Sequence, residues 1–408
     1  MPDATLFQQV VAYANRANPY PLYAQLRETP ISLQEGFGFV ASTHDLIATL
    51  LADPRLSSEG RRVGPAAAQS AYGNEAAPRP GFLVLDPPAH DRLRALTMKH
   101  FGPPDDPDRV EGMRPDITRI VTDLLDAQRG KTQFDVVDDL AYPLPVTVIC
   151  ELLGVPHEDE PRFRVWSDAL VATLNPDPTV MTPELQQEVA QASMQIRQYM
   201  AELIAAHRAN PGDDLLSAMA TDHDPGAPMD EQDLISTAIL LLIAGHETTV
   251  NLIANGMLTL LRYPDQLDRL RHDPSYATAV VEELLRYEPP VQFTIRTALA
   301  DMPVNGADVP EGAPLVLLLA AGSRDPACFA DPDRFFPDRP DNQHFGFGGG
   351  IHYCFGGPLA RVETQVALVE MARRLENPRL VTDAPPYRPS PVLRGPRHLE
   401  VAFDRVLD

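Results

Sequence analysis

Lysine is nearly absent: of the 34 basic residues in the 408-residue chain, only Lys99 and Lys131 are lysine. Basic charge is also scarce beside the 57 acidic residues, leaving a formal net charge of −23. So acidic a surface repels a phosphate backbone, and general nucleic-acid binding is excluded. Cysteine is sparse. Cys150, Cys328 and Cys354 are an odd number, far apart, and make no disulfide framework, which points to a reducing compartment. No cationic start with an apolar run occupies the first sixteen residues, so no leader peptide is expected. The longest apolar stretch, 234–245, falls short of the roughly 20 residues that span a bilayer. A cytoplasmic protein without membrane association is expected. No internal repeat and no linker divide the chain, which predicts one domain, 1–408.

Proline is abundant, at 42 residues, and is spread among apolar segments as loop punctuation. Apolar spacing predicts a mainly helical protein with small β-sheets. Helices are expected over 18–27, 90–101, 110–129, 144–153, 162–174, 183–209, 274–287 and 359–375. The longest runs from Asp230 to Tyr263, with Asp230 and Glu231 at its positive end and an apolar middle that must be buried. Short strands are expected over 31–40, 291–298, 302–304 and 314–319. Residues 55–85 are the least regular long segment and are expected to gate a pocket.

The most informative segment is Phe347-Gly-Gly-Gly-Ile-His-Tyr-Cys354-Phe-Gly356, which leads into a helix starting near Gly357. A thiolate at a helix N-terminus is stabilised by the dipole and by free N–H groups. Gly348, Gly350 and Gly356 let backbone approach a bulky flat ligand. Cys354 has no Cys or His partner at metal spacing, which makes a zinc site poor. Two readings remain from the residues alone: a buried cysteine in a glycine-rich turn, or one axial ligand to a heme iron.

Together with Leu359-Ala-Arg361, this segment resembles the heme-ligand signature of the cytochrome P-450 family, F-G-x-G-x-H-x-C-x-G followed by L-A-R. Three further motifs follow the family order. Ala244-Gly-His-Glu-Thr-Thr249 resembles the oxygen-activation motif of the long central helix. Glu283-Leu-Leu-Arg286 is similar to E-x-x-R, and His90-Asp-Arg-Leu-Arg94 to the H-x-x-x-R of bacterial members. The resemblance implies a single cytochrome P-450 domain, with heme b (iron protoporphyrin IX) between the long helix and the Cys354 loop.

It also implies roles. Cys354 is the metal ligand, and Phe347, Gly348 and Gly356 shape the loop around the heme. Ala244, Gly245 and Thr248 border it from the long helix, where i and i+4 residues share a face. Glu247 and Thr248 deliver protons where oxygen is activated. The bland alternative has Thr248 back-bonded to its helix and Glu247 in a surface ion pair; His246 reads as filler or a solvent-channel residue. His90, Arg94, Arg296 and His352 are implied as propionate partners, although each alone reads as a surface ion pair. Glu283 and Arg286 pair at i,i+3 and are joined by Arg339, with Arg334 the runner-up. Cys150 and Cys328 read as structural. The substrate pocket is expected from the 55–85 loop, residues 170–181, Leu240, Ala244, Val291, Gln292, Phe293, Val392 and Leu393.

The implied activity is monooxygenation with O2, by hydroxylation or epoxidation of an apolar small molecule such as a macrolide, other polyketide, terpenoid or steroid. The chain carries no G-x-G-x-x-G, so NAD(P)H is expected to act through a separate ferredoxin and ferredoxin reductase, docking near Lys99, His100, Arg109 and Arg114. A monomer is the family expectation. Peroxide-driven or ring-coupling oxidation, and a heme sensor or carrier without catalysis, are the alternatives.

Overall fold

Asp230 begins the longest element by accepting a hydrogen bond from the Asp233 N–H at 2.9 Å, which satisfies a free donor of the first turn. The computed structural model describes residues 4–59, 79–102, 108–175, 181–222 and 229–408. In chain order these form α1 (Leu6–Val11), α2 (Tyr20–Arg27), β1 (Ile31–Gln34), β2 (Gly38–Ala41), α3 (His44–Leu51) and β3 (Leu56–Ser57). There follow α4 (Ala89–Phe101), α5 (Arg109–Gly112), α6 (Arg114–Asp126), β4 (Gln133–Asp135), α7 (Pro143–Leu153), α8 (Glu160–Ala172), α9 (Pro183–Ala209) and α10 (Leu215–Thr221). The central helix α11 (Glu231–Arg262) precedes α12 (Pro264–His272), α13 (Ala277–Tyr287), β5 (Thr294–Ala298), β6 (Met302–Val304), β7 (Ala307–Val309), β8 (Pro314–Leu317) and α14 (Leu319–Gly322). Last come α15 (Gly357–Arg374), β9 (Arg379–Leu380) and β10 (Glu400–Ala402). The fold is helix-rich with small sheets, as the apolar spacing predicts.

Helix α11 packs against α7, α9 and α15, and these helices with α6 and α13 enclose the main apolar core. It is the one helix among the described residues long and apolar enough to cross a membrane. Two-thirds of its apolar window (67 %) is buried inside the protein, as befits a core helix. The largest sheet has the order β1-β2-β8-β5-β3, with β2 parallel to β8 and Phe39 opposite Leu315. It carries a second core around Ile47, Leu317 and Phe345. A third joins Phe7, Tyr23 and Phe293.

Some expected boundaries move for local reasons. The helix expected over 110–129 divides at Met113, because Pro115 has no N–H to continue α5 and instead occupies the first turn of α6. Pro264 ends one helix and opens the next in the same way. The strand expected over 291–298 begins only at Thr294; Val291 makes an isolated bridge to Leu393. Most of the 55–85 gate, residues 60–78, lies outside the described residues, as do 176–180 of the expected pocket wall.

Candidate active site

Two left-handed glycines shape the cysteine loop. Gly348 has φ +68° and Gly350 +65°, and a Cβ on Gly350 would lie 2.2 Å from the Leu51 carbonyl oxygen. Gly356 has an ordinary φ of −83°, and among the described residues the place of a Cβ is open, which leaves room for a ligand to approach. The loop is closed by the Cys354 N–H donating to the Phe347 carbonyl at 2.9 Å. Cys354 is half-buried three residues before α15. Burial, the largest cause, raises its thiol pKa overall, and the N–H groups of Gly356 and Gly357 with the charges of Arg94 and Arg361 oppose it only in part. Those donors are the groups that would steady the sulfur as a thiolate were it bound to a metal ion.

Beside the loop, four nitrogenous side chains converge. The His90 and His352 rings are 4.5 Å apart. His90 Nδ1 meets Asp91 at 2.8 Å and His352 Nε2 meets Ser58 Oγ at 2.8 Å, but among the described residues the buried Nε2 of His90 and Nδ1 of His352 have no partner. Arg94 donates to the Tyr353 carbonyl at 2.7 Å, and Arg296 to Thr294 Oγ1 at 2.8 Å and the Ile295 carbonyl. Neither arginine forms an ion pair among the described residues. Burial, then the charges of Arg296 and His90, push the His352 pKa down to about 4. A cluster of cations and orphaned ring nitrogens calls for buried anions. With the adjacent thiol, this donor set fits heme: Cys354 for the iron, and His90, Arg94, Arg296 and His352 for the two propionates.

On α11, Ala244 is exposed and Thr248 half-buried on one face, with Leu240 one turn earlier. Thr248 Oγ1 donates to the Ala244 carbonyl at 3.0 Å, as the bland reading had it. Glu247 does not follow that reading, for it is buried, 3 % exposed, and turned toward Arg388 Nη1 at 3.1 Å. The structure therefore does not bring the Glu247 and Thr248 side chains together. Burial would raise the Glu247 pKa, but His246, Arg388 and Arg164 outweigh it and hold it low. Gly245 also departs from expectation. A Cβ there would meet Ile149 at 3.2 Å, so its missing side chain admits α7.

Glu283 and Arg286 are fully buried and doubly bonded, at 2.8 Å on each side. Arg339 adds Nε at 3.4 Å from both Glu283 oxygens. Arg334 contributes its carbonyl, which accepts from Arg286 and Arg339, and not its guanidinium.

The pocket expectation needs correction. Val291 and Gln292 do lie beside Val392 and Leu393, through the Val291–Leu393 bridge and the Gln292 N–H to Val392 carbonyl bond. Gln292 is wholly buried, however, its amide accepting from Tyr23 and donating to Pro289. Phe293 is buried edge-on against Phe7 at 5.4 Å, and Leu393 is buried as well. These side chains fill core because the strand's alternation starts at Thr294. Exposed apolar side chains nearby are Ile295, Leu83 and Val84, the last two following Gly81, whose backbone abuts Leu240. Leu83 and Val84 belong to the 55–85 segment expected to line the pocket, whereas sequence reasoning missed Ile295, whose signal was its place beside Arg296. Of the expected docking cations, Lys99 and His100 both meet Asp222 at 2.8 Å, and Arg114 chelates Glu111.

The family model described as Cytochrome P450 matches residues 38–403. The cytochrome P450 monooxygenase PikC of Streptomyces venezuelae is 40 % identical over 95 % of this chain and 92 % of its own length. The 6-deoxyerythronolide B hydroxylase of Saccharopolyspora erythraea is 37 % identical over 94 % of this chain and 96 % of its own. Among solved structures, ligand-free CYP164A2 of Mycobacterium smegmatis is similar, with a TM-score of 0.88 at 43 % identity, covering 97 % of this chain and 99 % of that one. The chain thus belongs to the cytochrome P450 family of monooxygenases, oxidoreductases that bind heme b and use O2 and NAD(P)H-derived electrons, delivered by redox partners, on small molecules.

Proposed function

We propose that this enzyme hydroxylates or epoxidises a large, neutral, mainly apolar molecule of the macrolide, polyketide, terpenoid or steroid class. The carrying observation is the chemistry of the exposed face. Ala244, Leu240, Ile295, Leu83 and Val84 are aliphatic, and the nearby charged groups cluster with His90 and Arg296, where the heme carboxylates are expected. An apolar lining favours a ligand recognised by shape and buried area. The relative named for hydroxylating 6-deoxyerythronolide B supports this reading. The electron donor is a ferredoxin with its reductase, and the protein acts as a cytoplasmic, single-domain monomer.

In this reading Cys354 holds the heme iron, and the bound heme supplies oxygen activation. The chain's own residues do the rest. His90, Arg94, Arg296 and His352 hold its carboxylates. Ala244 leaves room on α11. Thr248 keeps a hydroxyl on the same face, and Glu247 supplies protons from the buried side. The test is a panel of neutral macrolactones, terpenes and steroids screened for a substrate-induced spin-state shift. Binders are then turned over with a ferredoxin system under 18O2. Product should gain one labelled oxygen atom, and Thr248→Ala should divert much of the NADPH flux to hydrogen peroxide while keeping substrate affinity. Unlabelled product, or Thr248→Ala with unchanged product per NADPH, would overturn the reading.

A further inference from the structure

Residues 79–84 cross the face of α11 that leads to Ala244 and Thr248. Asp233, Leu240, Ala244 and Thr248 are spaced so that they share that face. Gly81 passes directly over it: a Cβ there would lie 2.9 Å from Leu240 Cβ and 3.2 Å from the Ser236 carbonyl oxygen. Two residues earlier, Arg79 Nη1 donates to Asp233 Oδ1 at 3.1 Å and also to the Asp230 carboxylate. The second oxygen of Asp233 accepts from Arg92 Nη2 at 2.5 Å. The Asp233 side chain is only 2 % exposed. The positive end of α11 favours its charge, but a carboxylate so buried still needs its cations. Arg92 lies on α4, between His90 and Arg94. On the other side of Gly81, the buried Phe82 packs against Phe355 at 5.6 Å, next to Cys354, and edge-on to His90 at 6.4 Å. Leu83 and Val84, which follow, keep about half of their surface exposed.

We propose that Asp233 is a positioning residue for substrate binding. Through Arg79 and Arg92 it clasps the wall that carries Leu83 and Val84 to α11 and to α4, and so sets the affinity for ligands large enough to touch that wall. This rests on the reading that heme and an apolar ligand lie on this face. The physical gain is preorganisation. A wall already fixed at Asp233, Leu240 and Phe355 need not be ordered when the ligand arrives, so more of the apolar contact appears as affinity. The clasp therefore favours large, rigid, neutral ligands. A small ligand that reaches only the heme iron gains nothing from it. Asp233 is the centre of the cluster, because Asp230 is half exposed and its pairing with Arg79 is weakened by water.

Two heme-iron ligands of different size separate a clasp on the wall from a general support of the fold. Imidazole and the bulky triaryl imidazole clotrimazole both bind holoenzyme through a ring nitrogen, read as a shift of the Soret band. Clotrimazole should bind the wild type far more tightly than imidazole. Asp233→Asn and Arg79→Gln should each weaken clotrimazole about five-fold and leave imidazole within about two-fold. The double variant should lose no more than Asp233→Asn alone, since both changes break one cluster. Arg79→Gln, at a partly exposed position, carries the test alone if Asp233→Asn fails to retain heme. Equal losses for the two ligands would mark a general loosening of the heme site and overturn the proposal. So would unchanged clotrimazole affinity, additive losses in the double variant, or a wild type that binds clotrimazole no better than imidazole. Failure of the proposed function is recognised separately: no macrolactone, terpene or steroid would shift the wild-type spectrum, while the clotrimazole-to-imidazole ratio still falls in the variants.

Discussion

Two buried glutamates are held in opposite ways. Glu283, on α13, receives both prongs of Arg286, Nε of Arg339, the Phe336 N–H at 2.8 Å and Asn342 at 3.3 Å. Glu247, on α11, has Arg388 on one oxygen and, among the described residues, only the His246 ring near the other. A carboxylate with every lone pair filled holds its charge and its place. One left with a single long contact can change protonation without tearing a network apart. The lesson is that burial alone does not separate scaffold from chemistry; the number of donors per oxygen does.

The comparison breaks most visibly at Glu283. Glu283→Ala should strand Arg286 as a buried, unpaired cation at a cost of about 3–5 kcal/mol. Heme-loaded protein should be largely lost on expression, measured by heme absorbance per protein; full heme content with an unchanged melting temperature would contradict the scaffold role. The next contrast is with its sequence neighbour. Glu282 ties α13 to Arg361 at 2.6 Å and His344 at 3.1 Å. Burial would raise its pKa, but those two partners bring it down to about 2. Its folded pKa lies below the unfolded value near 4.5, so its stabilisation is present above pH 4.5 and lost as pH falls toward 2. Glu282→Gln should remove at most ~3 kcal/mol at neutral pH and flatten the acid limb of a denaturant-midpoint-versus-pH curve over that window. A steep limb surviving in the variant would place the acid sensitivity elsewhere. The smallest effect is expected at Arg334, whose guanidinium stacks over Phe336 at 5.3 Å while only its carbonyl serves the cluster. Arg334→Ala should cost no more than ~1 kcal/mol in thermal unfolding; a loss as large as that of Glu283→Ala would return Arg334 to the network.

The same contrast explains what was legible in the sequence. Glu283 and Arg286 are readable because helical spacing alone makes them neighbours, and α9 and α11 because their apolar spacing and caps agree. Arg388 was unreadable as the partner of Glu247, because 141 positions separate them and the Pro-Tyr-Arg-Pro context around it carries no periodic signal. Gln292 and Phe293 were misjudged as pocket lining because a short apolar stretch does not reveal where a strand's alternation begins. The orphaned nitrogens of His90 and His352 are a purely spatial fact, since their helix and loop meet only in the folded chain.

The pairing of β2 with β8 has a bearing on how the protein is made. Phe39 leaves the ribosome roughly 280 residues ahead of Leu315, its opposite number in the sheet. At ~5–20 residues per second that is on the order of 15–55 s of synthesis during which the N-terminal hairpin has an unpaired edge. The sheet behind the cysteine loop therefore assembles after most of the helices have emerged. Nascent chains are exposed to edge-to-edge association throughout that interval. Slower growth at low temperature prolongs the wait but also weakens the competing hydrophobic contacts.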